Sequence, residues 1–514
     1  MTKFKRYEQD QILLLPPSLE ELIGQKELVR KVDEVIGKLD LSWVGEKFSG
    51  GGCPSYHPLM MLKVLVYAYC CKLYSCRMIA KALKRDVAFM WLSGMQKPDF
   101  NTVNRFRGEY LKDVLEKVFV QTVEFLLESG HIRFEDYFID GTKMEADASK
   151  NSYVWKKNTK RYKERIRPKI SKILEEVEEI NRREDQQYEG KDLPEWGEQS
   201  QVSALAVQQT VDRINKSLQG MEGKHNQQLQ KKVKQLQEQS EKLAKYEEQE
   251  HILGNRNSYS KTDTDATFMR MKNEELRAGY NVQAATENGF IAGFSISQNA
   301  NDGACLKVHM ERQKQLGLPK PQRMVADAGY GNEENYSYLE DEKIENFVKY
   351  PDGYKEDSKE AKYRFHKSRF KYESGTDSFI CPEARRLIFK EEKQRKTILG
   401  YTKTLRRYEC ESCQLCPVKV LCTKSPANRI IETSLKLTGY QQQARRNLLS
   451  ELGQKLRKRR GPEVETVFGD LKHNQRYRRI RLRGLPKAIT EMSLVFIGYN
   501  LRKLFNQPQV VMAT

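Results

Sequence analysis

The sequence predicts an α/β domain broken by two insertions and preceded by an all-α segment. Three observations carry this reading. Apolar strand-like runs alternate with helical runs after residue 255, composition shifts sharply to Glu, Lys, Gln and Arg between 156 and 255, and helical apolar spacing dominates before 130. At 514 residues the chain exceeds one ordinary core, so several domains are expected.

Residues 1 to about 130 read as helical. "SGGGCPSYHP" is a loop leading through Pro58 into the apolar helix "PLMMLKVLVYAYCCKL". Two short helices follow, then a turn around Gly94 to Pro98 and a third helix starting near Asn101. Ile79, Ala80 and Leu83 face inward, and Val103, Phe106 and Tyr110 extend the stripe. Asn101, Thr102, Asn104, Arg105 and Arg107 are left at the exposed start of the third helix. The pattern suits a helix-turn-helix presenting that start to DNA; an ordinary helical bundle with a polar face is the alternative.

"FIDGTKMEAD" comes next, an apolar run that ends on Asp140 with Gly141 after it. An acid is costly to bury without a partner, so this placement asks for a reason. Asp-Gly between strand-like runs is a hairpin signal; a strand end holding a metal ion is the other reading, and it needs further carboxylates.

Between 156 and 255, Tyr162, Ile166, Ile170, Ile173, Val177 and Ile180 recur at spacings of three or four. Val207, Val211, Ile214 and Leu218 do the same, as do Leu229, Val233, Leu236 and Leu243. Such narrow seams on charged helices predict an inserted helical hairpin or coiled coil, broken at "YEGKDLPEWGEQ", serving as a structural arm or dimer contact.

Strand-like segments return as "GYNVQAAT", "GFIAGFSIS", "RMVADAGYG" and "ENFVKY", with helical runs separating the last three. "MVADAGYG" repeats the earlier pattern. An apolar run ends on Asp327 and small residues follow, which leaves space beside the carboxylate. A helical segment, not a strand, comes after Asp327, so a second hairpin does not explain it.

Five of the ten cysteines lie between 381 and 422. "CESCQLCPVKVLC" supplies Cys410, Cys413, Cys416 and Cys422, with Cys381 upstream, a set that suits structural zinc; redox-active or unliganded thiols are the alternative. Which four of the five would bind stays open. In "RKRRGPEVETVFGDLKHNQRYRR", Pro462 suits the first turn of a helix whose buried stripe is Val464, Val467, Phe468 and Leu471. A neighbouring face carries Glu465, Gly469, Lys472 and Arg476. It fits an acid at a metal with a phosphate backbone along the helix, or simply a solvated surface of paired charges.

With 90 Lys plus Arg against 70 Asp plus Glu, the net charge is +20 and the pI about 9.3. That excess favours a polyanionic partner. The opening "MTKFKRYEQD" is not a secretory signal, and the most apolar run contains Lys63 and is too short to span a bilayer, so the expectation is a cytoplasmic protein with no membrane partner.

Taken together, Asp140, Asp327 and Glu465 resemble the DDE triad of bacterial insertion-sequence transposases. "FIDGTKMEA", "TDTDATFMRMK", "GYNVQAATE", "ADAGYGNEENY" and "VETVFGDLKHN" are similar to segments of that family, as are "HPLMMLKVLVYAY" and "PDFNTVNRFR" near the start. In this family a Tyr and an Arg usually precede the catalytic Glu; Arg460 suits the Arg, but Lys458 stands where Tyr is expected. The resemblance implies a ribonuclease-H-like catalytic core in three parts, 131–155, 256–350 and 451–514. A helical DNA-binding domain at 1–130, a coiled-coil-like arm at 156–255 and a Cys-rich insertion at 351–450 complete the organisation. It also implies Mg2+ or Mn2+ held by Asp140, Asp327 and Glu465, and phosphate contacts from Lys472 and Arg476. Base contacts are expected from Asn101, Thr102, Asn104 and Arg105. The implied partners are the element's terminal inverted repeats, target DNA and further copies of the chain in a homodimer or higher multimer. The implied activity is cleavage and strand transfer. A non-catalytic DNA-binding derivative and a structure-specific nuclease on the same fold are the rival readings.

Overall fold

The computed structural model of the chain describes residues 17–41, 55–112, 114–185, 203–218, 224–351 and 364–507. The break expected at "YEGKDLPEWGEQ" lies outside them, as does most of the glycine-rich loop before Pro58. Two compact units are present. The first comprises Met1–Met144, Asn281–Ser297 and Asn301–Thr514; the second comprises Glu145–Tyr280 and Gln298–Ala300.

The first unit begins with α1 (Leu28–Lys38), α2 (Pro58–Cys70), α3 (Cys76–Ala82), α4 (Val87–Leu92), α5 (Phe100–Arg105) and α6 (Leu115–Glu128). Pro58 opens α2, where its missing N–H costs nothing. Asp86 and Asp99 cap α4 and α5 by accepting backbone N–H groups, Asp99 from Thr102 at 2.6 Å. The third helix differs from expectation. Only six residues of α5 are α-helical, and a π turn, Phe106–Tyr110, follows. A π turn holds an extra residue, so positions beyond Arg105 rotate away from an α-helical wheel. Arg107 is therefore buried, not exposed. It donates to the Tyr69 hydroxyl and the Tyr74 carbonyl, each at 3.0 Å, and to Asn104 Oδ1 at 3.2 Å.

The main sheet of this unit is built from β1 (Asp136–Glu145), the greater part of β5 (Leu276–Glu287), β6 (Phe290–Ser297), β7 (Arg323–Ala326) and β8 (Glu345–Val348), in the order β6-β5-β1-β7-β8. β5 and β6 form an antiparallel hairpin through Asn288 and Gly289, both at positive φ, as a tight turn of that type requires. β1, β7 and β8 run parallel, joined by crossovers that include α10 (Leu306–Gln315) and α11 (Glu333–Asp341).

One expectation fails here. β1 does not end at Asp140 but continues to Glu145, and Gly141 lies within it with no positive φ. Asp140-Gly141 is neither a hairpin turn nor a strand end.

The apolar α16 (Leu485–Asn506) buries Ala488, Met492, Leu494, Phe496, Ile497 and Leu501, packing on α2, α6 and β6. Asn500 donates to the Ile291 carbonyl and accepts from the Ile291 N–H, each at 2.9 Å, and so takes the place of a neighbouring strand along β6.

Between β8 and the final helices, β9 (Lys371–Glu373), β10 (Ser378–Ile380), β11 (Arg386–Lys396), β12 (Thr402–Cys410) and β13 (Ile430–Thr433) form an antiparallel sheet in sequential order. Its small core contains Phe370, Phe379, Leu387, Tyr408 and Ile431. The short α12 (Lys419–Cys422) precedes β13.

α13 (Leu435–Leu449) leads into α14 (Glu451–Arg460), which continues as a π turn (Gly461–Glu465), α15 (Thr466–Gly469) and a second π turn (Asp470–Asn474). Pro462 thus lies inside a continuous helical run, not at its start. The widened turn accommodates a residue without an N–H where a regular α-helix would not.

In the second unit, β2 (Tyr153–Trp155) pairs antiparallel with β3 (Ser258–Ser260), and β4 (Thr267–Arg270) pairs with the first residues of β5. Between β2 and β3 run α7 (Lys156–Asp185), α8 (Ala204–Leu218) and α9 (Lys224–Leu253). Ile166, Ile170, Val207, Val211, Val233, Leu236 and Leu243 form a core of their own. Among the described residues, no helix is long and apolar enough to cross a membrane.

Candidate active site

The parallel pairing of β1 with β7 sets Phe138 opposite Val325, and continuing that register places Asp140 level with Asp327. The sheet order reverses between these two strands, and in open α/β sheets the crevice beyond the strand ends at such a point is where ligands bind. Asp327 leaves β7 and accepts from the Gly329 N–H at 2.8 Å, which starts the turn Ala328–Tyr330. Asp140 stays within β1, its carboxylate accepting from the Gly141 N–H at 2.9 Å.

The third acid arrives on the π turn after α14. Arg460 joins all three: its Nη2 lies 3.4 Å from Asp140 Oδ1 and 3.8 Å from Asp327 Oδ2, and its Nη1 lies 3.5 Å from Glu465 Oε1. One guanidinium thus serves three carboxylates. Glu465 is exposed and Asp140 mostly buried, with side chains 67% and 20% accessible. Burial pushes the Asp140 carboxyl up to about 6; Arg460 opposes the shift, while Asp327 and Asp302 add to it.

Asp302 is a fourth acid at this site that the sequence reading missed. Its Oδ1 accepts from Asn281 Nδ2 at 2.7 Å and from Gln283 Nε2 at 3.0 Å. A Cβ added to Gly141 would meet Asp302 Oδ1 and Gln283 Nε2, each at 2.4 Å. Close packing therefore explains the glycine after Asp140.

Lys472 donates to Thr142 Oγ1 at 2.5 Å and to the Lys143 carbonyl at 3.0 Å, which ties the helical run to β1 just beyond Asp140. Arg476 does not continue the face of Glu465 and Gly469. The second π turn ends at Asn474, and Arg476 is an exposed residue at φ 53° outside the helix. At the other predicted interface, Asn101, Asn104 and Arg105 are exposed and Thr102 is half-buried. Asn104 Oδ1 already accepts from Arg107 and from the Cys76 thiol, and Arg105 lies over the Tyr110 ring at 5.6 Å.

Cys381, Cys410, Cys413, Cys416 and Cys422 line one small cavity beside β10 and β12. The Cys381 sulfur accepts from the Arg385 N–H and the Cys413 sulfur from the Arg429 N–H, each at 3.2 Å. Burial pushes the Cys410 thiol up to about 12. Among the described residues, no group of three or more His, Cys, Asp or Glu side chains is placed as it would be around a metal ion; the three acids meet through Arg460.

Residues 380–505 match the family model described as Transposase DDE domain, and residues 17–109 match the one described as Transposase domain (DUF772). Glu465 and the cysteine cavity fall within the first match, while Asp140 and Asp327 precede it. Asn101, Thr102, Asn104 and Arg105 fall within the second. No curated protein matches the chain. In this order along the sequence, the two matches support an insertion-sequence DDE transposase with an N-terminal transposase domain.

Proposed function

We propose that the chain binds the ends of a bacterial insertion sequence and catalyses metal-dependent cleavage and strand transfer from a ribonuclease-H-like core. The observation that carries this reading is the convergence of Asp140, Asp327 and Glu465 on Arg460. These acids come from two adjacent parallel strands and one helix, far apart in sequence. Four carboxylates, counting Asp302, outnumber Arg460 and the neighbouring Lys349 and Arg457, which leaves an excess of negative charge in a partly buried site. That excess suits a divalent cation with oxygen ligands, Mg2+ or Mn2+. Bound there, such an ion supplies the Lewis acidity that activates an attacking oxygen and stabilises a leaving one in phosphoryl displacement.

The chain's own residues do the rest. Asp140 and Asp327 are fixed by strands and Glu465 by its helix, so the carboxylates are set before DNA arrives. Lys472 anchors the Glu-bearing helix to β1, and the exposed Arg476 is available to a phosphate backbone. The basic excess attracts DNA of any sequence, while Asn101, Thr102, Asn104 and Arg105 supply base or groove contacts to the element's ends. Cys410, Cys413, Cys416 and Cys422, or a set that includes Cys381, would supply the ligands of a structural zinc ion, although in this structure the described thiols are not arranged around a metal. The active complex contains two or more copies of the chain. A non-catalytic DNA-binding derivative has no need of all three acids, and their common arginine favours the enzyme.

The test is cleavage of a plasmid carrying the coding region with its native flanks. Inverted repeats on both sides and Mg2+-dependent cuts at their outer ends are expected. Specific binding to those repeats without any cleavage in Mg2+ or Mn2+ would favour the non-catalytic reading.

A further inference from the structure

The loop after β6 does more than connect. Asn301 accepts from the Gly303 N–H at 3.0 Å and opens a short turn, Asp302–Ala304. The Gly303 carbonyl accepts from Asn332 Nδ2 at 2.7 Å and Asn335 Nδ2 at 3.0 Å, and the latter nitrogen also donates to the Tyr330 carbonyl at 2.8 Å. The loop is thereby bound to the turn that follows Asp327. Asp302 reaches the other way. Besides accepting from Asn281 and Gln283, it and the Gln283 amide press directly on Gly141. Gln283 closes the circuit by donating to Asn281 Oδ1 at 3.0 Å and accepting from the Tyr330 hydroxyl. Asn281, Gln283, Tyr330 and Asn335 are all 1% exposed or less. Apart from Asn335 Oδ1, which has no partner, the buried amides of this network are paired, and such networks fix a single geometry because each lost partner leaves another group unpaired.

We propose that Asp302 is a positioning residue: through Gln283 and Asn281 it holds the Asp140–Gly141 segment of β1 against the turn after Asp327 and so sets the separation of the two aspartates. The network makes no bond to the Asp140 or Asp327 carboxylate, so its role is indirect. What it does for catalysis rests on the proposed function, but the geometry it fixes does not.

Two readouts separate these levels. The first is amide hydrogen exchange of the full-length protein, which needs neither metal nor DNA. Asp302→Ala should raise exchange about tenfold in peptides covering both 138–144 and 327–331, with the melting temperature little changed. Asp302→Asn keeps an acceptor oxygen and should restore protection. If Asp302→Ala also lowers the melting temperature, Asp302→Ser, whose hydroxyl is too short to reach both amides, serves in its place with the same expectation. Exchange confined to residues 301–305 would overturn the proposal, as would an Asn variant as open as the Ala variant. The second readout is Mn2+ affinity by electron paramagnetic resonance together with plasmid cleavage. Both should fall roughly ten- to a hundredfold in Asp302→Ala, the usual range for a group that orients a metal ligand, and be regained in part by Asp302→Asn, which keeps the geometry but not the negative charge that Asp302 adds beside Asp140. Loosened strands in a protein whose wild type neither binds Mn2+ nor cleaves would sink the transposase reading and leave the positioning role standing.

Discussion

The start and the middle of β1 treat acidic groups in opposite ways. At its start, the buried Glu287 accepts four backbone N–H groups, from Arg133, Phe134, Glu135 and Asp136, at 2.6–3.3 Å. Asp136 is held there by Arg323 and Arg459, each at 2.6 Å. At its middle, Asp140 shares Arg460 with Asp327 and Glu465 at 3.4–3.8 Å. The acids at the start are saturated with donors at short range. Those around Arg460 are left with capacity to spare, which the proposed metal-dependent chemistry requires.

The comparison predicts opposite phenotypes. The largest effect belongs to the under-compensated middle: Asp140→Asn, Asp327→Asn and Glu465→Gln should each reduce strand cleavage by about a thousandfold, the several kcal/mol that metal-assisted charge stabilisation supplies. Binding to the repeats should be largely kept and the melting temperature should not fall. Near-normal cleavage by any of the three in Mg2+ would remove that residue from the site.

Next in size is Asp136→Asn at the saturated start of β1, which leaves Arg323 and Arg459 only their more distant partners, Glu135 at 3.6 Å and Glu463 at 3.4 Å. About 1–2 kcal/mol of unfolding free energy should be lost, less than for a fully buried pair because Arg459 is partly exposed and both arginines keep a second carboxylate, while cleavage per folded molecule persists. Denaturant midpoints with activity corrected for folded fraction would measure both. A stable but inactive variant would erase the distinction between the two regions.

A smaller, graded effect comes from His309, buried on α10 between the Tyr137 hydroxyl on β1 and the Ser295 hydroxyl on β6, at 3.2 and 3.0 Å. Burial depresses its pKa to about 3. The folded state keeps the ring neutral, so its contribution is fully present above the unfolded value near 6.5. It is lost as pH falls towards 3, at about 1.4 kcal/mol per unit. Urea titrations at pH 7 and pH 5 should differ by about 2 kcal/mol more in wild type than in His309→Gln. The smallest effect is expected where neither region of β1 is touched. Replacing Lys156–Leu253 by a short linker between β2 and β3 should shift the unfolding of the first unit by less than about 0.5 kcal/mol, since α7, α8 and α9 have their own core. Loss of all folded structure would refute that independence.

Much of this arrangement was legible in the sequence, for reasons that can be named. Apolar runs bounded by small residues located β5 to β8, and the pattern at Asp327 needed only a strand and a turn. Asp140-Gly141 misled because Asp-Gly is a local hairpin signal, whereas Gly141 answers to Asp302 and Gln283, which lie far along the chain. Arg107 and Arg476 misled for one shared reason: a helical wheel assumes a regular α-helix, and each lies in or beyond a π turn that shifts the register; Pro462 misled because proline favours the first turn of a helix, whereas here a π turn takes it inside a continuous run. Asp302 was missed because Asn-Asp-Gly after a strand reads as an ordinary turn. Its Gly303, bound by Asn332 and Asn335 of "GNEEN", becomes informative only once the two loops are known to touch.

The wide sequence spacing of the three acids has a consequence in time. Glu465 emerges well after Asp140, on the order of half a minute later at ordinary translation rates. Until α14 and the π turn that follows it have been made, β1 and β7 have neither Glu465 nor Arg460 beside them. A ribosome-bound chain therefore lacks the meeting of the three acids until these helices have been made and docked. Termination anywhere in the β9–β13 sheet would yield a fragment that contains Asn101–Arg105 but lacks Arg460, Glu465 and the helix α16 on which α2 and α6 pack.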